Sequence, residues 1–154
     1  MKVMTLLLRP AVPQDLPDLS ALCLRSKAHW GYDAEFIAAC REELTLVEAD
    51  LADPVIVAEI GGQVAGLAQV GRKGADADLL LLYVEPAAMG YGVGRALFDW
   101  CLKTALTMAA PQLLIEADPH AASFYEKMGA TRIGEAPSGS IPGRVLPLLT
   151  CPVR

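Results

Sequence analysis

Three glycines at alternate positions, Gly90, Gly92 and Gly94, stand between an apolar run, Leu79 to Val84, and an amphipathic segment that ends before Pro111. The run has the length and content of a buried strand, and Val93, Leu97, Cys101, Ala105 and Met108 recur at helical spacing. The order is therefore strand, glycine loop, helix. Glycines at these positions clear side chains from a place where backbone N–H groups converge on the positive end of a helix, an arrangement that binds phosphate. Arg95 adds a formal positive charge at the same end. A P-loop is excluded, because no Lys-Ser/Thr follows these glycines. A dinucleotide fingerprint wants its first glycine directly after the strand and an acidic residue further on. Glu116 ends the next apolar run, but Glu85 to Met89 intervene before the glycines, so the match is weak.

Composition narrows what surrounds this unit. With 154 residues, 53% of them apolar, the chain reads as one globular domain over residues 1–154 with a proper core. No run reaches the roughly 18 apolar residues of a membrane span, and the N-terminal apolar stretch lacks a small-residue cleavage site, so no membrane partner is expected. Cys23, Cys40, Cys101 and Cys151 show no paired spacing and read as buried free thiols, which points to a cytoplasmic location and to no metal. A net charge of −5 argues against a nucleic-acid partner and agrees with a cationic amine as substrate.

Taken in order, Val3 to Leu8 is expected to be a strand closed by Arg9-Pro10, and Leu16, Leu19 and Cys23 mark a first helix. His29-Trp30-Gly31-Tyr32 interrupts it, and Asp33 caps a second helix carrying Phe36, Ile37, Cys40 and Leu44 on one face. Glu48 to Leu51 is expected to form a single helical turn. Val55 to Ile60, Gly61-Gly62, then Gln63 to Val70 is a hairpin signature, and Gly71 to Asp78 reads as a polar turn before Leu79 to Val84. Gln112 to Glu116 is expected to lie parallel to Leu79–Val84 after the crossover helix. Asp118-Pro119 reads as a helix cap, Gly129 as that helix's stop, and Thr131 to Glu135 and Val145 to Thr150 as closing strands. The whole is an α/β chain with a mixed sheet, in the order β-α-α-β-β-β-α-β-α-β-β.

That order, the glycine loop Met89-Gly90-Tyr91-Gly92-Val93-Gly94, and the segment Asp118-Pro119-His120-Ala121-Ala122-Ser123-Phe124-Tyr125-Glu126-Lys127-Met128-Gly129-Ala130 resemble the GNAT superfamily of N-acyltransferases along nearly the whole chain. Met89 stands where the family usually has Gln or Arg, Asp118 where Asn is commoner, and Ala130 where Phe is commoner. The resemblance implies splayed central parallel strands and acetyl-CoA as co-substrate. It places the pantetheine arm along Leu82, Tyr83 and Val84, and the phosphates on Met89, Gly90, Tyr91, Gly92, Val93, Gly94 and Arg95. Asp118 and Phe124 would complete the cofactor side.

The resemblance also implies Tyr125 as general acid toward the departing thiolate; the plainer reading is a core aromatic, with one of Phe124 and Tyr125 packed and the other free. The base is less determined. Glu116 is the first candidate, and it reads equally well as a solvent-facing strand end. On the acceptor side His29, Trp30, Tyr32 and Arg144 are candidates: the aromatics for cation–π contact with an amine, Arg144 for a substrate carboxylate. The expected activity is acetyl transfer to a primary amine of a small molecule or peptide, by direct attack, with room for a homodimer. A non-catalytic acyl-CoA binding module is the alternative, and an oxidoreductase fragment is disfavoured.

Overall fold

The computed structural model describes residues 5–154. Seven strands form one sheet in the order β1-β2-β3-β4-β5-β7-β6. They are β1 (Leu6–Pro10), β2 (Val55–Ile60), β3 (Gln63–Lys73), β4 (Asp76–Val84), β5 (Gln112–Glu116), β6 (Thr131–Pro137) and β7 (Val145–Pro152). The helices are α1 (Leu16–Ala28), α2 (Ala34–Leu44), α3 (Val93–Thr107) and α4 (Ala122–Lys127). Every pairing is antiparallel except β4 with β5, as the crossover through α3 requires.

Each face of the sheet carries its own core. On one, α1 and α2 bury Leu19, Leu22, Cys23, Cys40 and Leu44 against Val55, Val57 and Leu67. On the other, α3 and α4 bury Val93, Leu97, Phe98, Cys101 and Tyr125 against Ala68, Val70, Leu113 and Ile115. All four cysteines are free and buried.

Several local expectations hold for the reasons given. Gly61 and Gly62 both take positive φ, +58° and +80°, and close β2–β3 with the two-residue primed turn that only such residues allow. Asp33 accepts the Phe36 N–H at 2.8 Å and starts α2. Gly129, at φ +106°, follows the end of α4.

Others need correction. Val3 and Met4 lie outside the described residues, and β1 runs on through Arg9 and Pro10, which an edge strand tolerates. Gly71 to Asp78 is not a turn: β3 and β4 continue through it, paired as far as Lys73↔Asp76, and only Gly74-Ala75 turns. The polar residues there belong to a hairpin end that is partly solvated, where Lys73 opposite Asp76 supports the pairing. Asp118 does not cap α4, whose N-cap is Ala121.

Candidate functional site

The site begins with a defect in β4. Gln69 pairs with Leu81 and Val70 with Leu79, so Leu80 is an extra residue, a β-bulge. The parallel pairing of β4 with β5 ends there, at Leu79↔Ile115, while β4 runs on to Val84. A bulge bends its strand, and here β4 leaves β5, so the edge of Leu80–Val84 that would have faced β5 has no strand beside it. The bulge also breaks the two-residue alternation. Leu79 packs toward α3, whereas Leu81 and Tyr83 pack toward α1 and α2, and Leu82 and Val84 toward α3.

Beyond β4, the chain makes one 3₁₀ turn at Pro86–Ala88 and enters the glycine loop. Gly90 and Gly92 sit at φ +89° and +82°, in the left-handed region where a Cβ would be strained although nothing crowds it. The backbone N–H groups of Gly90, Tyr91, Gly92, Val93, Gly94 and Arg95 find no acceptor among the described residues. Six consecutive free donors at the start of a four-turn helix form the anion nest that the alternating glycines imply. Gly94 serves a different purpose: a Cβ there would lie 3.3 Å from the Phe124 ring, so this glycine lets α3 approach α4.

The nest and the bare strand edge open into a cavity of about 450 Å³. Leu82, Tyr83, Val84, Met89, Gly90, Gly92, Val93, Gly94, Arg95, Glu116, Asp118, Phe124 and Tyr125 all line it. Tyr91 does not line it and is 73% exposed. Phe124 and Tyr125 do not divide into packed and free. Both join Phe98 in one aromatic cluster, with centroids 5.2–6.4 Å apart, and both reach the cavity. Tyr125 is 6% exposed, and its hydroxyl has no hydrogen-bond partner among the described residues. Burial pushes its phenol well above the ordinary range, so the proton stays on oxygen at neutral pH.

Through the gap between β4 and β5 lies a second, more polar cavity of about 210 Å³ on the α1–α2 face. Lys27, Leu79, Leu80, Tyr83, Glu116 and Asp118 line both cavities. Asp118 anchors the wall between them. Its carboxylate takes Lys27 Nζ at 2.6 Å, the Tyr32 hydroxyl at 3.0 Å and its own turn's His120 N–H at 2.9 Å, with Arg144 at 3.7 Å. Burial disfavours its charge, but the Lys27 hydrogen bond and the other donors outweigh that and hold the carboxyl below its usual value. Partial burial and the hydrogen bond to Asp118 raise Tyr32 to about 12.

The acceptor-side candidates separate. Trp30 lines the first cavity, stacked on His120 at 5.3 Å. Arg144 lines the second but is already engaged: it donates to the Tyr32 hydroxyl at 2.8 Å and lies over the rings of Tyr32 and Phe36. Tyr32 lines neither cavity and braces Asp118. His29, at the end of α1, lines neither and packs its ring edge on Trp30.

Sequence reasoning passed over Ser26, Lys27, Glu43, Asp78 and His120, all of which line one cavity or both. Asp78 matters most. Burial raises its carboxyl, Lys73 draws it back, and the charge of Glu116 raises it further. Without the bulge, Asp78 and Tyr83, five residues apart, would face opposite sides of the sheet. Four consecutive leucines carry no alternation that could reveal the bulge. Among the described residues no His/Cys/Asp/Glu group is arranged to hold a metal, and no helix is long and apolar enough to cross a membrane.

Comparison with known proteins agrees with this architecture. A GCN5-related N-acetyltransferase from Rhodopseudomonas palustris is 28% identical, with 99% of each chain covered and a TM-score of 0.79. The PaiA N-acetyltransferase from Thermoplasma acidophilum, solved with coenzyme A, is 18% identical over 97% of this chain and 99% of its own, with a TM-score of 0.74. An N-acetyltransferase from Staphylococcus aureus is 18% identical over the same shares, with a TM-score of 0.69. No curated protein matches the sequence significantly. Residues 25–138 match the family model for the acetyltransferase (GNAT) domain, a span that holds the nest, the bulged strand and Tyr125. The chain therefore belongs to the GNAT acetyltransferases and is an acetyltransferase enzyme.

Proposed function

We propose that the protein transfers an acetyl group from acetyl-CoA to a primary amine of a small molecule or peptide by direct attack, with Tyr125 as general acid. The observation that carries this reading is the shared cavity: five of the six residues with unpartnered N–H donors, Gly90, Gly92, Val93, Gly94 and Arg95, line one 450 Å³ space with Tyr125, whose hydroxyl is also unpartnered. These residues fit the co-substrate. The nest and Arg95 suit its pyrophosphate, and the bare edge of Leu82–Val84 suits the amides of its pantetheine arm, as in strand addition. When bound, acetyl-CoA supplies the acyl group already activated as a thioester.

The remaining chemistry falls to this chain. The acceptor must lose a proton to become nucleophilic, and Glu116, which lines both cavities, is the carboxylate assigned to take it. A carbon–nitrogen bond forms as the carbon–sulfur bond breaks, Tyr125 gives its proton to the departing sulfur, and the proton lost by the amine restores the phenol. No cysteine lines the first cavity, and burial pushes the Cys23 thiol up to about 12, which supports direct attack over transfer through an acyl-cysteine. A panel of primary amines incubated with acetyl-CoA tests the reading by thiol release. Release that depends on amine is expected; CoA binding without release for any amine overturns it.

A further inference from the structure

The second cavity is larger than a single amino group needs, and its lining is unbalanced in charge. Glu43, Asp78, Glu116 and Asp118 face it with only Lys27 and Arg144 to oppose them. Both cations are already held by Asp118. Glu43 accepts only the Ser140 hydroxyl, and Asp78 has no hydrogen-bond or ion-pair partner among the described residues. Glu116 keeps a distant one, Lys73 at 3.8 Å on the solvent side. A second feature points the same way. The Tyr83 hydroxyl, without a hydrogen-bond partner among the described residues, belongs to a half-buried side chain that lines both cavities. Both this hydroxyl and the half-buried Asp78 carboxylate have given up part of their water without recovering a hydrogen bond from the protein.

We propose that this cavity is a subsite for a second cationic group of the acceptor, seated among Glu43, Asp78 and the Tyr83 hydroxyl, so that the acceptor is an aliphatic diamine and not an amino acid. The amine to be acetylated would stand at the gap between β4 and β5, where the two cavities share Leu79, Leu80 and Tyr83. The distal ammonium would then supply the counter-charge that the protein lacks. A distal carboxylate would meet Glu43, Asp78 and Glu116 as like charges, and Arg144, tied to Asp118 and Tyr32, is not free to receive it. This assignment takes from the acetyl-transfer reading only the place of the reacting amine.

Calorimetry on CoA-saturated protein, with putrescine, butylamine and γ-aminobutyrate as probes, tests the subsite without requiring turnover. Putrescine is expected to bind at least tenfold more tightly than butylamine, with γ-aminobutyrate weakest, and the advantage should shrink as salt is raised. Glu43→Gln, shown to be folded by its melting curve, should reduce the advantage to within about threefold. Equal binding of putrescine and butylamine by the wild type, or preference for γ-aminobutyrate, overturns the proposal. An advantage unchanged in Glu43→Gln also overturns it, since the second charge would then lie elsewhere. Turnover separates the two readings. Butylamine acetylated without any diamine preference removes the subsite and leaves acetyl transfer standing, whereas preferred putrescine binding with no acetyl-CoA consumed removes acetyl transfer and leaves the subsite.

Discussion

Tyr125 is packed against Phe98 and Phe124, yet its hydroxyl faces the cavity without a partner. A core role and a proton-donor role make different demands on that one oxygen. If the phenol donates to the departing thiolate, the contact matters mainly in the transition state, so its loss lowers kcat and spares CoA affinity. Tyr125→Phe keeps the ring, and kcat measured at saturating acetyl-CoA is expected to fall by about 10²–10⁴-fold, with the CoA dissociation constant nearly unchanged. Near-normal kcat in a folded variant, with chemistry rate-limiting, would remove the acid role. At this scale the sequence was informative where a residue type is chemically unusual for its place, as with the glycines, whereas Tyr125 was singled out only by the family resemblance. The sequence was silent about Asp78, and it offered Asp118 as a helix cap and a cofactor-side residue, not as the centre of an ion-pair cluster. Both are ordinary carboxylates in local sequence, and each acquires its environment from residues distant along the chain: Asp78 from Glu116, Asp118 from Lys27, Tyr32 and Arg144.

Among the elements, α3 depends on a gap in β3. A Cβ on Gly66 would stand 2.8 Å from the Tyr83 carbonyl oxygen and 3.0 Å from Leu97 of α3, both fixed by their own packing. Gly66→Ala must therefore move backbone or helix, and is expected to cost about 1–3 kcal/mol in urea unfolding without changing the m-value. Retained stability would show that α3 has room to shift. Elements announced by local chemistry were legible: the Gly61-Gly62 hairpin, the Asp33 cap, the crossover that makes β4 and β5 parallel. What was not legible came from pairing. The β3–β4 hairpin extends through Arg72, Lys73 and Asp78 because the strands hold one another, against a composition that suits a loop. The Leu80 bulge likewise exists only in the relation of two strands.

The whole molecule is clasped across its cleft. Lys27 of α1 reaches Asp118 beyond β5, both side chains little exposed, and Arg25 reaches Glu85 at the far end of β4 in a more solvated pair. The first pair should dominate, because exposed pairs contribute little. Asp118→Asn leaves Lys27 enclosed without its counter-charge, and about 3 kcal/mol of stability should be lost at pH 7. The folded carboxyl titrates below its unfolded value, so its contribution is complete above the ordinary carboxylate range and disappears as pH falls through the lower, folded value. The gap between wild type and variant should accordingly narrow toward pH 3 in urea titrations; a gap independent of pH would mean that packing, not charge, holds the cleft. The unclosed edge of β4 and the six idle donors of the nest have one more consequence. Amide protons that no acceptor holds are free to trade with deuterium, so the alternate amides of residues 80–84 that point away from β3, and those of 90–95, should label early inside a molecule whose neighbouring strands label late. CoA should slow labelling in those two segments together, writing the outline of its own binding path onto the backbone.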